Sequence, residues 1–395
     1  MKFIEVKEKK HIKEFLEFPI QLYKDAKEWI RPLDNDVEEV FDPSKNNFFK
    51  RGECSRWIVL DDDNKTIGRV AAFIDHKTEK QHNTHDQELH VGGIGFFESI
   101  QDKKVAFSIF DHCKNWLEAK GMNAMDGPIN FGERDNWWGL LIEGHDIEPN
   151  YKMPYTLPVY QEYFEEYGFQ VYFKQITYGR KVNAALHPTY VKVAERIFAD
   201  DSYTFSTFDS SKTEKFTKDF LTIYNKAWAG HEGIKEMTLD QAKSRIEQLK
   251  QIIDPDIVYF AYHNDEPVAF YINIPELNQV VKTIKNGKLN WIAMLKFGWQ
   301  LKIAKSNRKM MGLVFGVIPE YQRKGVMIAI VEFCRRYVQE KIRGRYIDFE
   351  MNWIGDFNPK MMKVSAGIGD PCKIHYTYRK IFDENIEFER CPEMK

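Results

Sequence analysis

Val317-Ile318-Pro319-Glu320-Tyr321-Gln322-Arg323-Lys324-Gly325-Val326-Met327 joins an apolar strand to an apolar helix through a short basic turn. The strand reading covers residues 311–318 and ends at Pro319, which has no N–H to give to a sheet ladder. Over residues 326–341 the apolar side chains recur at helical spacing. A helix start leaves its first backbone N–H groups unpaired and carries the positive end of the helix dipole. It is therefore a ready site for an anion, phosphate above all. Gly325 lets a ligand approach the backbone closely, and Arg323 and Lys324 add positive charge at the rim.

Outward from this turn, one order of elements is read twice. Residues 2–6 form a strand, and a helical pattern follows with Pro19 as a candidate kink. Residues 57–60 and 67–74 flank the turn 61–64 as a hairpin. A strand at 93–97, a helix at 105–120 capped by Gly121, and a strand at 122–129 complete the first pass. The second pass has a strand at 203–208, helical spacing over Phe216, Phe220, Ile223, Tyr224 and Trp228, and a hairpin about His263-Asn264-Asp265-Glu266. Then come the strand at 311–318, the helix at 326–341 and a strand at 346–353. The spacing between corresponding elements is not constant, so each pass carries an insertion, 131–156 in the first and 275–309 in the second. The link falls near 183–188. This predicts two α/β domains, 1–182 and 183–395.

Gln322 and Gly325 fit a pattern of Gln or Arg, two residues, Gly, one residue, then Gly or Ala, with Met327 departing at the last place. Between a strand and a helix, this resembles the acyl-CoA loop of the GNAT acetyltransferase superfamily. The resemblance implies two tandem GNAT-like N-acyltransferase domains, each with a mixed α/β sheet. It implies acetyl-CoA or another acyl-CoA as cofactor, held by Val317, Gln322, Arg323, Lys324, Gly325, Val326 and Met327. Residues 358–369, from Asn358 to Gly369, are similar to the family's closing helix, where Asn358 would help hold the cofactor. Ser365 stands where many members carry a tyrosine general acid, so Tyr376 or Tyr378 becomes the candidate proton donor, each also readable as a core or cleft-wall tyrosine. The base in such sites is a carboxylate or a water held by one. Residues 311–318 contain no carboxylate. Asp348 and Glu350 alternate on the next strand and share a face; Glu350 is the candidate base, and a paired structural carboxylate is the other reading. A backbone N–H in 316–318 would stabilise the oxyanion.

The first pass has a counterpart, Glu98-Ser99-Ile100-Gln101-Asp102-Lys103-Lys104-Val105-Ala106. Gln101 and Ala106 fit the pattern, but Lys104 occupies the glycine place. A side chain there crowds a phosphate cradled by backbone, so this copy reads as degenerate; a direct contact of Lys104 with a phosphate is the alternative. Gly168-Phe169 ends a helix as in the superfamily. The stretch 127–169, with Asn136-Trp137-Trp138-Gly139, resembles a group of bacterial tandem-GNAT proteins, as do Asn225, Trp228 and Gly233. Its aromatic, Gly and Pro residues either line a cleft between domains or cover a sheet edge.

The 57 basic and 59 acidic side chains leave a net charge of −2, which gives no footprint for a nucleic-acid partner. No leader pattern opens the chain and no apolar run reaches the ~18 residues of a membrane span. A cytoplasmic protein with no membrane partner is expected. The five cysteines lack paired spacing and read as reduced, mostly buried thiols. His76, His82, His85 and His90 fit no common zinc spacing, so no metal is expected, and 282–288 reads as a solvated basic turn. The function these features favour is acyl-CoA-dependent transfer of an acetyl or longer acyl group to a small-molecule or peptide amine. An aminoacyl-tRNA or long-chain acyl donor, or a non-catalytic ligand-binding role, stands as the alternative.

Overall fold

The computed structural model describes residues 1–228 and 236–394, so Gly233 lies outside the described residues. The first pass supplies strands β1 (Lys2–Glu5), β2 (Gly52–Leu60), β3 (Thr66–Asp75), β4 (Lys80–His82), β5 (Glu88–Ser99), β6 (Ala124–Gly127), β7 (Leu140–Glu143) and β8 (Gln170–Lys181). Its helices are α1 (Lys9–Leu22), α2 (Asp34–Phe41), α3 (Lys103–Glu118) and α4 (Tyr160–Tyr167). The second pass contains α5 (Pro188–Phe198), β9 (Tyr203–Thr207), α6 (Thr213–Trp228), α7 (Leu239–Leu249), β10 (Val258–His263), β11 (Glu266–Pro275), α8 (Asn278–Val281) and α9 (Trp291–Gly298). It ends with β12 (Lys309–Val317), α10 (Val326–Glu340), β13 (Asp348–Gly355), α11 (Pro359–Ala366) and β14 (Asp370–Ile381).

Among the described residues these strands form one mixed 14-stranded sheet in the order β1-β2-β3-β5-β6-β14-β8-β13-β12-β11-β10-β9, with β4 on β5 and β7 on β14. Both hairpins arise from local turn chemistry. Asn264 and Asp265 both take positive φ, 49° and 66°, the geometry that matches the twist of a two-residue hairpin. In the other, the Asp61 carboxylate accepts from the N–H groups of Asp63 and Lys65.

The first half runs in chain order and the second in reverse, and the two halves are crossed where they meet. β8, which closes the first pass, lies beside β13 of the second, and β14, which closes the second, lies between β6 and β8. Each half-sheet is thus completed by the other half's closing strand. All the pairings of β8 and β14 with their neighbours are antiparallel. Two apolar cores flank the seam. Ile109, Phe110, Phe164 and Tyr378 belong to the first, so the last strand of the chain packs in the first half's core. Tyr259, Phe270, Val326 and Ile330 belong to the second.

Both middle strands carry a β-bulge. On β5, Gly95 faces Ala71 and Glu98 faces Arg69, which leaves one residue too many between them; Phe96 takes φ +49°. On β12, Gly312 faces Asn273 and Val314 faces Ile272, so Leu313 is the extra residue. A bulge of this kind turns the strand and re-aims its side chains.

Candidate functional site

β12 and β13 run parallel but pair only from Lys309 to Gly312 against Asp348 to Met351. At the Leu313 bulge they part. The wedge between them is an open cleft of about 660 Å³. Val314 and Phe315 line one side, Met351 and Ile354 the other, and Met327 and Val364 of the overlying helices cover it. Asn352, Ser365 and Tyr271 also line it. The Asn352 Oδ1 and Ser365 Oγ atoms are buried without a hydrogen-bond partner, which suits a ligand that brings its own amide groups.

Above the wedge lies the turn before α10. Gly325 is the N-cap, at φ +93°, and no side chain caps the helix, so its first amides have no side-chain acceptor. A Cβ on Gly325 would stand 2.5 Å from Val193 of α5, so both the backbone geometry and the packing require glycine. Gln322, Arg323 and Lys324 are exposed. The Gln322 amide donates to the Val317 carbonyl at 3.2 Å, and the Lys324 ammonium sits 4.4 Å over the Tyr321 ring. Arg196 of α5 donates to the Lys324 carbonyl. Val317 and Val326 are buried and anchor the turn to the core. Asn358 caps α11 by accepting from the Met361 N–H at 3.1 Å. The structure therefore gathers Val317 and Gln322 to Met327 in one turn, with Met327 reaching the cleft and Asn358 opening the second covering helix. Of the backbone groups expected to face an oxyanion, the Ile318 N–H is taken by the Val268 carbonyl.

The two residues assigned to catalysis from sequence lie elsewhere. Glu350 is beneath the closed end of the wedge, 2.7 Å from the Lys309 ammonium and 2.5 Å from that of Lys373. Burial alone would raise its pKa, but Lys373 and Lys309 overcome this and hold it below the ordinary value. Asp348, its neighbour on the same face, is ion-paired with Lys181. Tyr376 pairs with Leu140 of β7 and Lys174 of β8 and packs against the first half's core. Tyr378 is in that core and donates to Glu165 at 3.1 Å. Neither tyrosine lines the cleft.

The corresponding turn of the first half is closed. Asp102 caps α3 and accepts from the Lys104 N–H at 2.8 Å, so a carboxylate already occupies the place an anion would take. Lys103 is engaged by Glu162 and Glu166. Replacing Asp102 by Ala is expected to cost about 1 kcal/mol of stability, the usual worth of such a cap, measurable by urea denaturation.

A second cavity, of about 630 Å³, lies at the β5 bulge. Its walls include Trp29, Ile30, Phe96, Trp137, Met153 and Tyr155, so part of the 131–156 insertion lines it. Glu98 and Arg69 form a buried ion pair at its wall. Arg69 also donates at 2.6 Å to the Phe15 carbonyl, which Pro19, four residues on, cannot satisfy because it has no N–H. The Tyr23 hydroxyl is buried against Glu98; burial, then the charge of Glu98, pushes its pKa well up. Burial also raises the pKa of Glu98 despite Arg69. Sequence reasoning missed Glu98 because it looked for a middle-strand carboxylate only on 311–318. The signal was present in the matching strand of the first pass. Among the described residues no cluster of His, Cys, Asp and Glu could hold a metal ion.

No family model matches the chain. It is 26% identical over 377 residues to Protein YghO of Escherichia coli (strain K12), covering 94% of this chain and 93% of that one. It is 24% identical over 388 residues to the Bacterial ceramide synthase of Caulobacter vibrioides (strain NA1000 / CB15N), covering 97% of each. Among solved structures, the tandem GNAT protein from the clavulanic acid biosynthesis pathway superposes with a TM-score of 0.54 at 7% identity, over 97% of this chain and 98% of that one. A GCN5-related glucosamine N-acetyltransferase region of a fungal multi-domain GH3 beta-N-acetylglucosaminidase matches with a TM-score of 0.51 at 10% identity. That match covers 96% of this chain, and this chain spans 38% of that protein. The chain has the tandem GNAT fold, as the sequence predicts.

Proposed function

We propose that this chain is an N-acyltransferase that draws on an acyl-CoA held by the second half, 183–395, and acylates an amine with a long apolar chain. The observation that carries the donor assignment is the wedge between β12 and β13, whose apolar walls lead to the uncapped start of α10. Residues 317–327 fit the phosphate end, with Arg323 at the exposed rim, and Asn352 and Ser365 offer unpaired polar atoms to the amides of a pantetheine arm. The bound acyl-CoA supplies an activated thioester. The amine nitrogen bonds to the thioester carbonyl carbon, the C–S bond breaks, and the departing sulfur takes up the proton that the amine loses. Glu350, tied to two lysines, acts in this reading as a strand tie and not as the base. The first half, 1–182, bounds the acceptor side. The long-chain acceptor is favoured by the likeness to a ceramide synthase, ceramide being the amide of a fatty acid and a long-chain amino alcohol. Thiol release should appear when a long-chain amine and an acyl-CoA are mixed with the protein, with the amide confirmed by mass. No release with acetyl or longer acyl-CoAs over a panel of long and short amines would sink the proposal.

One observation favours a second reading, in which the chemistry occurs in the first half. Glu98 is a buried carboxylate with a raised pKa, beside an apolar cavity, and a carboxyl tuned upward is suited to proton transfer near neutral pH. Under this reading Glu98→Gln should cut turnover roughly a hundredfold or more while acyl-CoA binding by calorimetry is unchanged. Turnover kept within a few-fold, in a variant with wild-type circular dichroism, leaves the second half as the reaction site.

A further inference from the structure

We propose that the helical segment from Trp291 to Ile303 is a docking face for an anionic phospholipid bilayer. This segment is α9 followed without a break by a π-helical turn, Trp299–Ile303. Trp291, Leu295, Trp299 and Ile303 follow one another at intervals of four and are 67%, 66%, 55% and 72% exposed. Ile292 and Met294 widen the face and are also more than half exposed. A surface helix ordinarily turns its charged side outward. A contiguous exposed apolar face of this kind marks an interaction site.

The opposite side of the helix is seated. Ala293 and Phe297 pack on a cluster formed by Ile30, Leu33, Val281 and Ile284, and Leu301 is buried. The exposed face is therefore presented on a fixed scaffold. The Asn290 side chain caps the helix by accepting from the Ala293 N–H at 2.9 Å.

Charge selects the occupant. From Leu277 to Pro319 the sequence holds eight basic residues and no acidic one, in a chain whose net charge is −2. Lys282 pairs with Glu148, and Lys309 with buried Glu350. Lys302 donates to the carbonyls of Lys250 and Ile253. Lys285, Lys288, Lys296, Lys305 and Arg308 are exposed and have no carboxylate partner among the described residues. Lys285 and Lys288 precede the apolar face in the chain, Lys296 lies in the helix that carries it, and Lys305 and Arg308 follow it, so unpaired positive charge brackets the segment. A second copy docked on the same face would set two such rims against each other, and like charges in contact oppose association. An anionic bilayer offers negative headgroups at the rim and hydrocarbon at the centre, and tryptophans prefer that boundary.

The segment is about 20 Å long at the helical rise, too short to cross a bilayer but suited to lying in its surface. No helix among the described residues is long and apolar enough to cross a membrane. The sequence expectation of no membrane partner rests on that length criterion, which an in-plane helix does not have to meet. Ile30, on which the helix sits, also lines the 630 Å³ first-half cavity. The docking face thus adjoins a wall of the first-half cavity. This inference stands on the surface alone and does not depend on the acyl-transfer reading.

The test is flotation of the full chain with phosphatidylcholine vesicles and with vesicles that also contain phosphatidylglycerol. Wild type should float with the mixed vesicles, at least about tenfold more strongly than with phosphatidylcholine alone, and its tryptophan emission should shift to the blue. Added salt should weaken binding. The Leu295→Glu/Ile303→Glu variant alters only exposed positions; it should remain folded and lose flotation, and Lys288→Glu/Lys296→Glu should lose the preference for the anionic vesicles. Flotation of Leu295→Glu/Ile303→Glu equal to wild type, or no flotation of wild type, overturns the proposal. A concentration-dependent dimer in light scattering that Leu295→Glu/Ile303→Glu abolishes, without vesicle binding, overturns it too and assigns the face to a second copy.

Discussion

Glu350→Ala is expected to lower the stability of the folded chain by about 3–5 kcal/mol, because it leaves two lysines in the interior without their shared carboxylate. Lys309 approaches from β12 at 2.7 Å and Lys373 from β14 at 2.5 Å, and all three side chains are buried. Glu350 and Lys373 meet across β8, where Glu350 lies opposite Gly179 and Lys373 opposite Thr177. A Cβ on Gly179 would already touch Cys372 Sγ at 3.0 Å and Glu350 Cγ at 3.5 Å. The pH dependence has a definite sign. The folded pKa of Glu350 is depressed, so its contribution is complete above the unfolded carboxyl value of about 4.3 and is lost as pH falls through the folded one. The gap between wild type and Glu350→Ala in urea denaturation should therefore narrow in acid. A Glu350→Ala protein that is as stable as wild type but inactive would return Glu350 to catalysis.

Gly325→Glu should weaken acyl-CoA binding roughly a hundredfold or more, since it sets a carboxylate where the donor's phosphates would sit, and like charges in contact cost several kcal/mol. The φ of +93° and the nearby Val193 mean that this variant also strains the turn, so circular dichroism must accompany the titration. Arg323→Glu separates the two effects. Its side chain is exposed, and the reversal should leave the fold intact while weakening binding about tenfold and flattening its salt dependence. Binding retained in both variants would move the donor to the first half, near Lys104.

Features with a local cause were legible in the sequence. The hairpin at Asn264-Asp265, the turn before α10 and the helix over 326–340 follow from turn chemistry and apolar period. Helix ends were read within a few residues. Features that depend on distant partners were not. β8 and β14 are both twelve-residue strands, and nothing within either one states which sheet it will complete. Glu350 read as an alternating strand carboxylate because its partner Lys373 lies on β14, which follows β13 in the chain but is separated from it in the sheet by β8. Pro19 lies inside α1, and the Phe15 carbonyl it leaves free accepts from Arg69 on β3, a partner the local sequence does not announce. The 275–309 stretch read as an insertion with a solvated basic turn. Its helix is formed by local sequence, but which side would stay uncovered depended on Ile30 and Leu33 from the other half.

The crossing of β8 and β14 bears on how such a chain can be inherited. A gene split between the two passes would yield two fragments, each carrying the strand that the other's sheet lacks, and neither could close its own edge. They would have to be made together and meet to become whole. Recombination that replaced one half with a relative's would also replace a strand inside the half it kept. The doubled fold is built from two copies of one plan, but the crossing makes it a single heritable part.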